Sequence, residues 1–152
     1  MNCIYALEVM KSRSLTNHDH WATPKAFYDA LDDEFHFTFD PCPLNGTSGL
    51  EIEWGERNFV NPPYSWKLKE AFVKKAIDQA KKGRLCVMLL PVSTSTALFH
   101  DHIQPNAREI RFVRGRISFL GYNTKGEYVT NRKGMFDSMV VIFDNLSIPA
   151  SQ

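Results

Sequence analysis

FVNPPYS, at positions 59–65, is the stretch from which the rest of the chain is interpreted. Phe59 and Val60 are typical of the end of a buried strand, and the two prolines stop that strand because neither has an N–H for a sheet ladder. Asn61 precedes a proline, which biases its backbone toward an extended conformation. Ser65 is suited to cap the following helix. Ligands of open α/β sheets bind beyond the carboxyl ends of strands, so the stretch offers an amide acceptor beside the Tyr64 ring for a planar, NH2-bearing substrate.

Length and composition predict one globular domain. The chain has 152 residues, of which 43% are hydrophobic and 23% are charged, enough for a substantial core. We expect an amino-terminal arm at 1–18, a single domain at 19–146 and a tail at 147–152. No apolar run approaches the length of a membrane span, so no membrane partner is expected. The three cysteines are scattered and odd in number, which favours a reducing cytoplasm over a disulfide framework or a zinc site.

The net charge is only +1, but the charged residues are unevenly distributed. Positions 19–56 hold nine acidic residues and one basic residue, whereas positions 67–84 and 108–134 each hold seven basic and two acidic residues. We interpret the first basic block as a solvated helix face. The second surrounds a polar loop from Gly121 to Gly134 and predicts a phosphate-contacting surface, with a solvated hairpin as the alternative. The sequence leaves open whether this block lies near Asn61 or at the opposite end of the sheet.

Alternating strand and helix signals indicate an α/β protein. Thr23 and Pro24 are typical of a helix start, and His100 and His102 are two residues apart, so they do not share a helix face and no metal site is predicted. Helices are predicted after Pro24, at 66–82 and from about 93 to 103, and strands at 37–39, 85–90, 109–113 and 138–143.

The segment between Asp40 and Asn61 is unusually short. The two residues are 21 positions apart, whereas a complete strand–helix–strand unit takes roughly 30 residues. We therefore predict a reduced fold. Asp40, at a strand end, is either a ligand contact or a turn former, and Trp54 is either a stacking wall or part of the core.

The order of motifs resembles one family. Asn61-Pro62-Pro63-Tyr64 resembles the catalytic motif of amino-methyltransferases. Asp40-Pro41 resembles the start of their cofactor-wrapping loop, although Pro43 replaces its first glycine and only Gly46 remains. With the flanking motifs, residues 20–144 resemble the phage-type, Dam-like DNA N-6-adenine methyltransferases. Those motifs are Trp21-Ala22-Thr23-Pro24, Phe39-Asp40, Met88-Leu89-Leu90-Pro91, Gly115-Arg116-x-x-Phe119 and the strand led by Ser138.

This resemblance implies a fold, an activity and partners. The fold would be a reduced Rossmann-like S-adenosylmethionine-dependent methyltransferase fold, mostly parallel, with an antiparallel edge strand. The activity would be methyl transfer to the exocyclic amine of a flipped adenine in double-stranded DNA, in the cytoplasm of a bacterial host. Because the 121–134 loop is short, either the specificity would be low or a homodimer would share the DNA. The alternatives are methylation of a protein glutamine or an RNA base, or a catalytically inactive DNA-binding relative.

The resemblance and the charge pattern together predict three sets of site residues. The catalytic set is Asn61, Pro62, Pro63 and Tyr64. The cofactor-binding set is Trp21, Thr23, Pro24, Asp40, Pro41 and Asn61, and the DNA-binding set is Arg114, Arg116, Lys125, Arg132 and Lys133.

Overall fold

The computed structural model describes residues 21–42, 48–122, 127–129, 134 and 136–144. These residues form an α/β fold with one four-stranded and one two-stranded sheet. In chain order the elements are α1 (Lys25–Phe35), a 3-10 turn (Ser48–Leu50), β1 (Arg57–Val60), α2 (Trp66–Lys81), β2 (Leu85–Pro91), a π-helical segment (Leu98–Ile103), α3 (Gln104–Asn106), β3 (Glu109–Phe112), β4 (Gly121–Tyr122), β5 (Tyr128–Val129) and β6 (Ser138–Phe143).

The main sheet is mixed, with the strand order β1-β2-β6-β3. β1 and β2 are parallel, whereas β6 is antiparallel to both of its neighbours, β2 and β3. The predicted mostly parallel sheet with an antiparallel edge strand is therefore wrong, because β6 lies inside the sheet. Burial explains this order: every residue of β6 is buried, whereas the residues of β3 are all partly or fully exposed. The most apolar strand takes the interior position and the half-polar strand takes the edge.

Two apolar layers cover the two faces of this sheet. On one face the side chains of α2 and the π-helical segment pack against alternate strand residues, including Val60, Met88 and Val141. On the other face α1 and the segment after β3 pack against the intervening residues, including Phe59 and Val87. The alternation follows from the two-residue period of a strand. Both faces of the sheet are therefore covered by apolar side chains, and polar functional groups are placed at the ends of the strands.

The carboxyl ends of β1, β2 and β3 lie at one edge of the sheet, since all three run in the same direction. We call this the carboxyl edge. Asn61 follows β1 there, and Arg114 follows β3. β6 begins at the same edge, where Val92 N–H donates to the Asp137 carbonyl oxygen at 2.9 Å. The sequence left open where the second basic block lies; its members Arg114 and Arg116, which follow β3, are on the side of Asn61.

Several predicted elements are confirmed almost to the residue. The helix expected at 66–82 and the strands expected at 85–90 and 138–143 match α2, β2 and β6 within one residue at each end. The strand expected at 37–39 is reduced to one parallel bridge, Phe39 with Asn58. Thr23 is not the cap of α1, which begins at Lys25 with Pro24 in the capping position.

The predicted arm at 1–18, the tail at 147–152 and much of the 121–134 loop lie outside the described residues. Within the part of the chain that is described, no helix has the length and apolar character needed to cross a membrane.

Candidate active site

Asn61 follows β1 directly, and two hydrogen bonds hold its carboxamide against the segment that precedes α1. Its Nδ2 donates to the Trp21 carbonyl oxygen at 2.7 Å and to Thr23 Oγ1 at 3.2 Å. Because both amide hydrogens are used, Oδ1 projects from the opposite side of the carboxamide. None of the described residues donates to that oxygen, and Asn61 is only half-buried. The amide therefore presents an acceptor to an external donor.

Backbone pairing fixes the segment that carries Trp21 and Thr23. Ala22 N–H donates to the Leu120 carbonyl oxygen at 2.8 Å, and Leu120 N–H donates to the Ala22 carbonyl oxygen at 3.0 Å. Next to this bridge, a Cβ added at Gly121 would lie 2.6 Å from Trp21 Cε3, so only glycine lets the indole approach this closely. Thr23 is 8% exposed. Residues 21–23, 61 and 120–121, which are distant in sequence, thus form one cluster.

Tyr64 is held edge-on against a second aromatic ring. Its centroid lies 6.2 Å from that of Phe119, with an interplanar angle of 85°, which is a favoured arrangement for an aromatic pair. Pro62 and Pro63 are buried and Tyr64 is half-buried. Burial raises the pKa of the Tyr64 phenol above its ordinary value, so the hydroxyl stays neutral at physiological pH. The ring is therefore positioned for contact and the phenol is not a base.

Asp40 follows the extended residue Phe39, which pairs in parallel with Asn58 of β1. Two parallel neighbours end at the same edge, so Asp40 and Asn61 follow adjacent extended segments. Asp40 Oδ1 accepts the Cys42 N–H at 2.9 Å, which is the turn-forming role that the sequence left as one alternative. Burial raises the pKa of Asp40 from 3.8 to about 6, against the lowering effect of that hydrogen bond. Of the described residues, none donates to Oδ2.

The surroundings of Asp40 are part of the core. Pro41 is buried, and a Cβ added at Gly49 would lie 1.6 Å from the Pro41 carbonyl oxygen. Trp54 is 4% exposed and stacks on Phe72, with centroids 6.4 Å apart. Its Nε1 donates to the Gly49 carbonyl oxygen at 2.7 Å. Of the two interpretations of Trp54, the structure therefore shows the core residue and not the stacking wall.

The predicted DNA-binding residues divide into two groups. Arg114 and Arg116 are exposed at the carboxyl edge, on either side of Gly115, whose φ of 75° turns the chain after β3. Neither guanidinium forms an ion pair with the residues that the structure describes. The remaining three, Lys125, Arg132 and Lys133, lie outside the described residues.

Arg111, another member of the second basic block, has a structural role. Its guanidinium donates to both carboxylate oxygens of Glu34 at 2.6 Å and also binds Glu109. It lies 5.3 Å from the centroid of the Phe35 ring, which it covers. Two residues of the first basic block also form ion pairs: Lys82 and Arg84 both bind Glu53 at the opposite edge of the sheet.

Among the exposed aromatic residues at the carboxyl edge, two lie at the end of a helix or strand, and neither was predicted to be exposed. Trp66, the first residue of α2, is 66% exposed, and Phe112, the last residue of β3, is 64% exposed. Both fit the apolar periodicity of their elements, so the pattern favours a core role for each. Their exposure follows only from the fold, which carries both residues to sheet ends beyond the packed layers.

The fold and site have the features expected of enzymes that methylate amino groups: an α/β sheet, and an Asn-Pro-Pro-Tyr turn at the carboxyl edge in which none of the described residues donates to the Asn61 amide oxygen. The chain belongs to the DNA N-6-adenine-methyltransferase (Dam) family, whose model matches residues 11–151. This confirms the resemblance that the sequence motifs indicated. The chain is also similar to the DNA N-6-adenine-methyltransferase of Escherichia phage T1, with 35% identity, across 76% of this chain and 60% of that protein. It thus spans about 60% of the length of this relative.

Proposed function

We propose that this protein is a DNA adenine-N6 methyltransferase that uses S-adenosylmethionine and acts on an adenine flipped out of the duplex. The observation that carries the proposal is the hydrogen bonding of the Asn61 carboxamide: its two amide hydrogens are bound by Trp21 and Thr23, whereas none of the described residues donates to Oδ1. Family membership supports the same activity. β1, α2 and β2 form a parallel strand–helix–strand unit, the repeating element of Rossmann-like folds.

The chemistry requires a hydrogen-bond acceptor rather than a strong base. The exocyclic amine of adenine is a poor nucleophile because its lone pair is delocalised into the ring. Hydrogen bonds donated by the amine to Asn61 Oδ1 and to the Pro62 carbonyl oxygen would localise that lone pair on nitrogen. The nitrogen would then accept the methyl group that the cofactor supplies, and the proton lost from nitrogen would pass to water. A carboxamide cannot take that proton, so Asn61 polarises and orients the amine.

The residues around Asn61 fit a cationic cofactor with hydrogen-bond donors. When bound, S-adenosylmethionine supplies a methyl group made electrophilic by the sulfonium charge. Asp40 offers Oδ2, to which none of the described residues donates, at the end of the segment beside β1. Pro24, Pro41 and the residue pair Trp21 and Thr23 complete the cofactor-binding set in this proposal. Thr23 Oγ1 already accepts a hydrogen bond from Asn61. In this proposal the threonine therefore helps to shape the cofactor pocket and does not bind the cofactor through its hydroxyl group.

The carboxyl edge also has the features needed for DNA. The exposed cations Arg114 and Arg116 suit phosphate contacts, and Lys125, Arg132 and Lys133 extend this set in sequence. The exposed rings of Trp66 and Phe112 provide apolar contact at the same edge of the sheet. In the proposal Tyr64 stacks on the flipped base, because an amine inside the duplex is out of reach of Asn61.

The test is a tritiated-methyl transfer assay that offers duplex DNA, RNA and a protein mixture in parallel. We expect label in DNA only, released as N6-methyladenine on nucleoside analysis. Label in RNA or protein would contradict methylation of DNA and would identify a different substrate for this amino-methyltransferase. Binding of DNA without transfer, at any protein concentration, would indicate an inactive DNA-binding relative. Sedimentation of the protein–DNA complex in the same buffer shows whether two copies share one duplex, as the short loop predicts.

A further inference from the structure

The orientation of the Asn61 carboxamide depends on two acceptors contributed by a distant segment. A carboxamide turned by 180° exchanges its oxygen and its NH2 group. In the turned state Oδ1 would face the Trp21 carbonyl oxygen at about 2.7 Å, where two acceptors repel each other. The Trp21 carbonyl oxygen therefore favours the observed orientation of the Asn61 carboxamide. Thr23 Oγ1 accepts a second hydrogen bond from Nδ2 at 3.2 Å.

We infer that Thr23 is a positioning residue that holds Asn61 Oδ1 toward the amine to be methylated; this inference rests on the function proposed above. Thr23 is well placed for this role because it is almost fully buried and lies beside the two-bond bridge between Ala22 and Leu120. Its hydroxyl is not needed as the cap of α1, since Pro24 occupies that position.

Losing the Thr23 hydroxyl leaves one amide hydrogen of Asn61 without its acceptor. One neutral hydrogen bond is worth a factor of about 3 to 10 in an equilibrium. A carboxamide with a single anchor spends more time with Oδ1 away from the substrate. We therefore expect Thr23→Val to lower kcat by about 3- to 10-fold. The KM for DNA and the affinity for S-adenosylhomocysteine should change by less than about twofold, because the Asn61 contact matters most in the transition state.

The experiment compares Thr23→Val with Thr23→Ser, which restores the hydroxyl, and with Thr38→Val as a matched control. Thr38 Oγ1 also forms two hydrogen bonds with backbone groups: it donates to the Arg57 carbonyl oxygen and accepts from the Arg57 N–H. Both lie at the far end of β1 from Asn61. Thr23→Ser should recover most of the lost kcat, and Thr38→Val should leave kcat unchanged. Calorimetric titration with S-adenosylhomocysteine and thermal unfolding are measured on all three variants.

A second measurement does not depend on catalysis. The side-chain amide signals of Asn61, assigned by their absence in Asn61→Ala, should shift in the ¹⁵N–¹H spectrum of Thr23→Val and return in Thr23→Ser. Unchanged amide signals, or a normal kcat in Thr23→Val, would overturn the inference. So would a loss of S-adenosylhomocysteine affinity at normal kcat, since Thr23 would then be a cofactor contact. If the wild type transfers no methyl group, the proposed function fails, whereas the amide signals still decide whether Thr23 orients Asn61.

Discussion

Replacing Gly121 by alanine perturbs the candidate site from a residue that takes no part in its chemistry. The added Cβ would lie 2.6 Å from Trp21 Cε3 and 3.0 Å from Cζ3, whereas ordinary contacts begin at about 3.4 Å. The methyl group and the indole must therefore separate by about 0.8 Å, and a flat ring cannot avoid the contact by a small rotation. Moving Trp21 moves the carbonyl oxygen that accepts from Asn61.

The expected magnitude follows from the cost of overpacking. Inserting one methyl group into a packed site costs about 1–3 kcal/mol, and the lower entropy of unfolded alanine returns about 0.4–1 kcal/mol. A net loss of about 1–2 kcal/mol lowers Tm by roughly 2–8 °C in a chain of this size. We expect kcat for methyl transfer to fall by about 10-fold or more in Gly121→Ala, because the Trp21 anchor of Asn61 is displaced.

The matched control is Gly83→Ala, measured by thermal unfolding and by the transfer assay at a temperature where both variants are folded. Gly83 has a φ of 86° and open space around it, so alanine there costs about 1–2 kcal/mol through backbone strain alone. Only Gly121→Ala should lose kcat. If Gly121→Ala and Gly83→Ala were equally stable and equally active, Trp21 would not determine the position of Asn61.

The remaining predictions concern the acceptor, the buried carboxyl and the arginines. Asn61→Ala should lower kcat by about 100-fold or more with S-adenosylhomocysteine affinity kept within about twofold; near-normal turnover would make the Asn-Pro-Pro-Tyr turn purely structural. Burial raises the pKa of Asp40 from 3.8 to about 6, so its ionisation disfavours the folded state. Asp40→Asn should therefore gain stability relative to the wild type as the pH rises from 4 to 7, by up to about 3 kcal/mol, while binding the cofactor more weakly. A stability difference that is constant with pH would contradict this. Arg114→Ala with Arg116→Ala should reduce the salt dependence of duplex binding by about one unit of slope per lost phosphate contact, whereas Lys81→Ala, at the opposite edge, should not change it.

Local sequence patterns were sufficient to predict the type and the bounds of the elements that are strongly apolar or strongly periodic. β2 and β6 are continuous apolar runs, and α2 has an unbroken helical period, so their bounds were predicted within one residue. The order of the strands was not predictable in the same way. β6 pairs with both β2 and β3, and its place between them is a property of the assembled sheet rather than of any local pattern.

The candidate site shows the same division. Asn61 and Tyr64 could be proposed from the sequence because their chemistry and the local chain geometry coincide in one short stretch. The capping role predicted for Thr23 was wrong, although a threonine before Pro-Lys has a local capping function that is common and strong. Its hydroxyl instead serves a residue 38 positions away, and no local pattern signals that contact.

The interior position of β6 has a consequence for how the protein is made. Among the described residues, β3 pairs with the main sheet only through β6, and β6 comprises residues 138–143. While the chain is still on the ribosome, β1, α2 and β2 can associate, but β2 keeps one open side until the last strand has emerged. We expect nascent chains stalled before residue 138 to remain sensitive to protease and to engage chaperones through that unpaired strand. Synthesis therefore completes the carboxyl edge, with Asn61, Arg114 and Arg116, in a single late step.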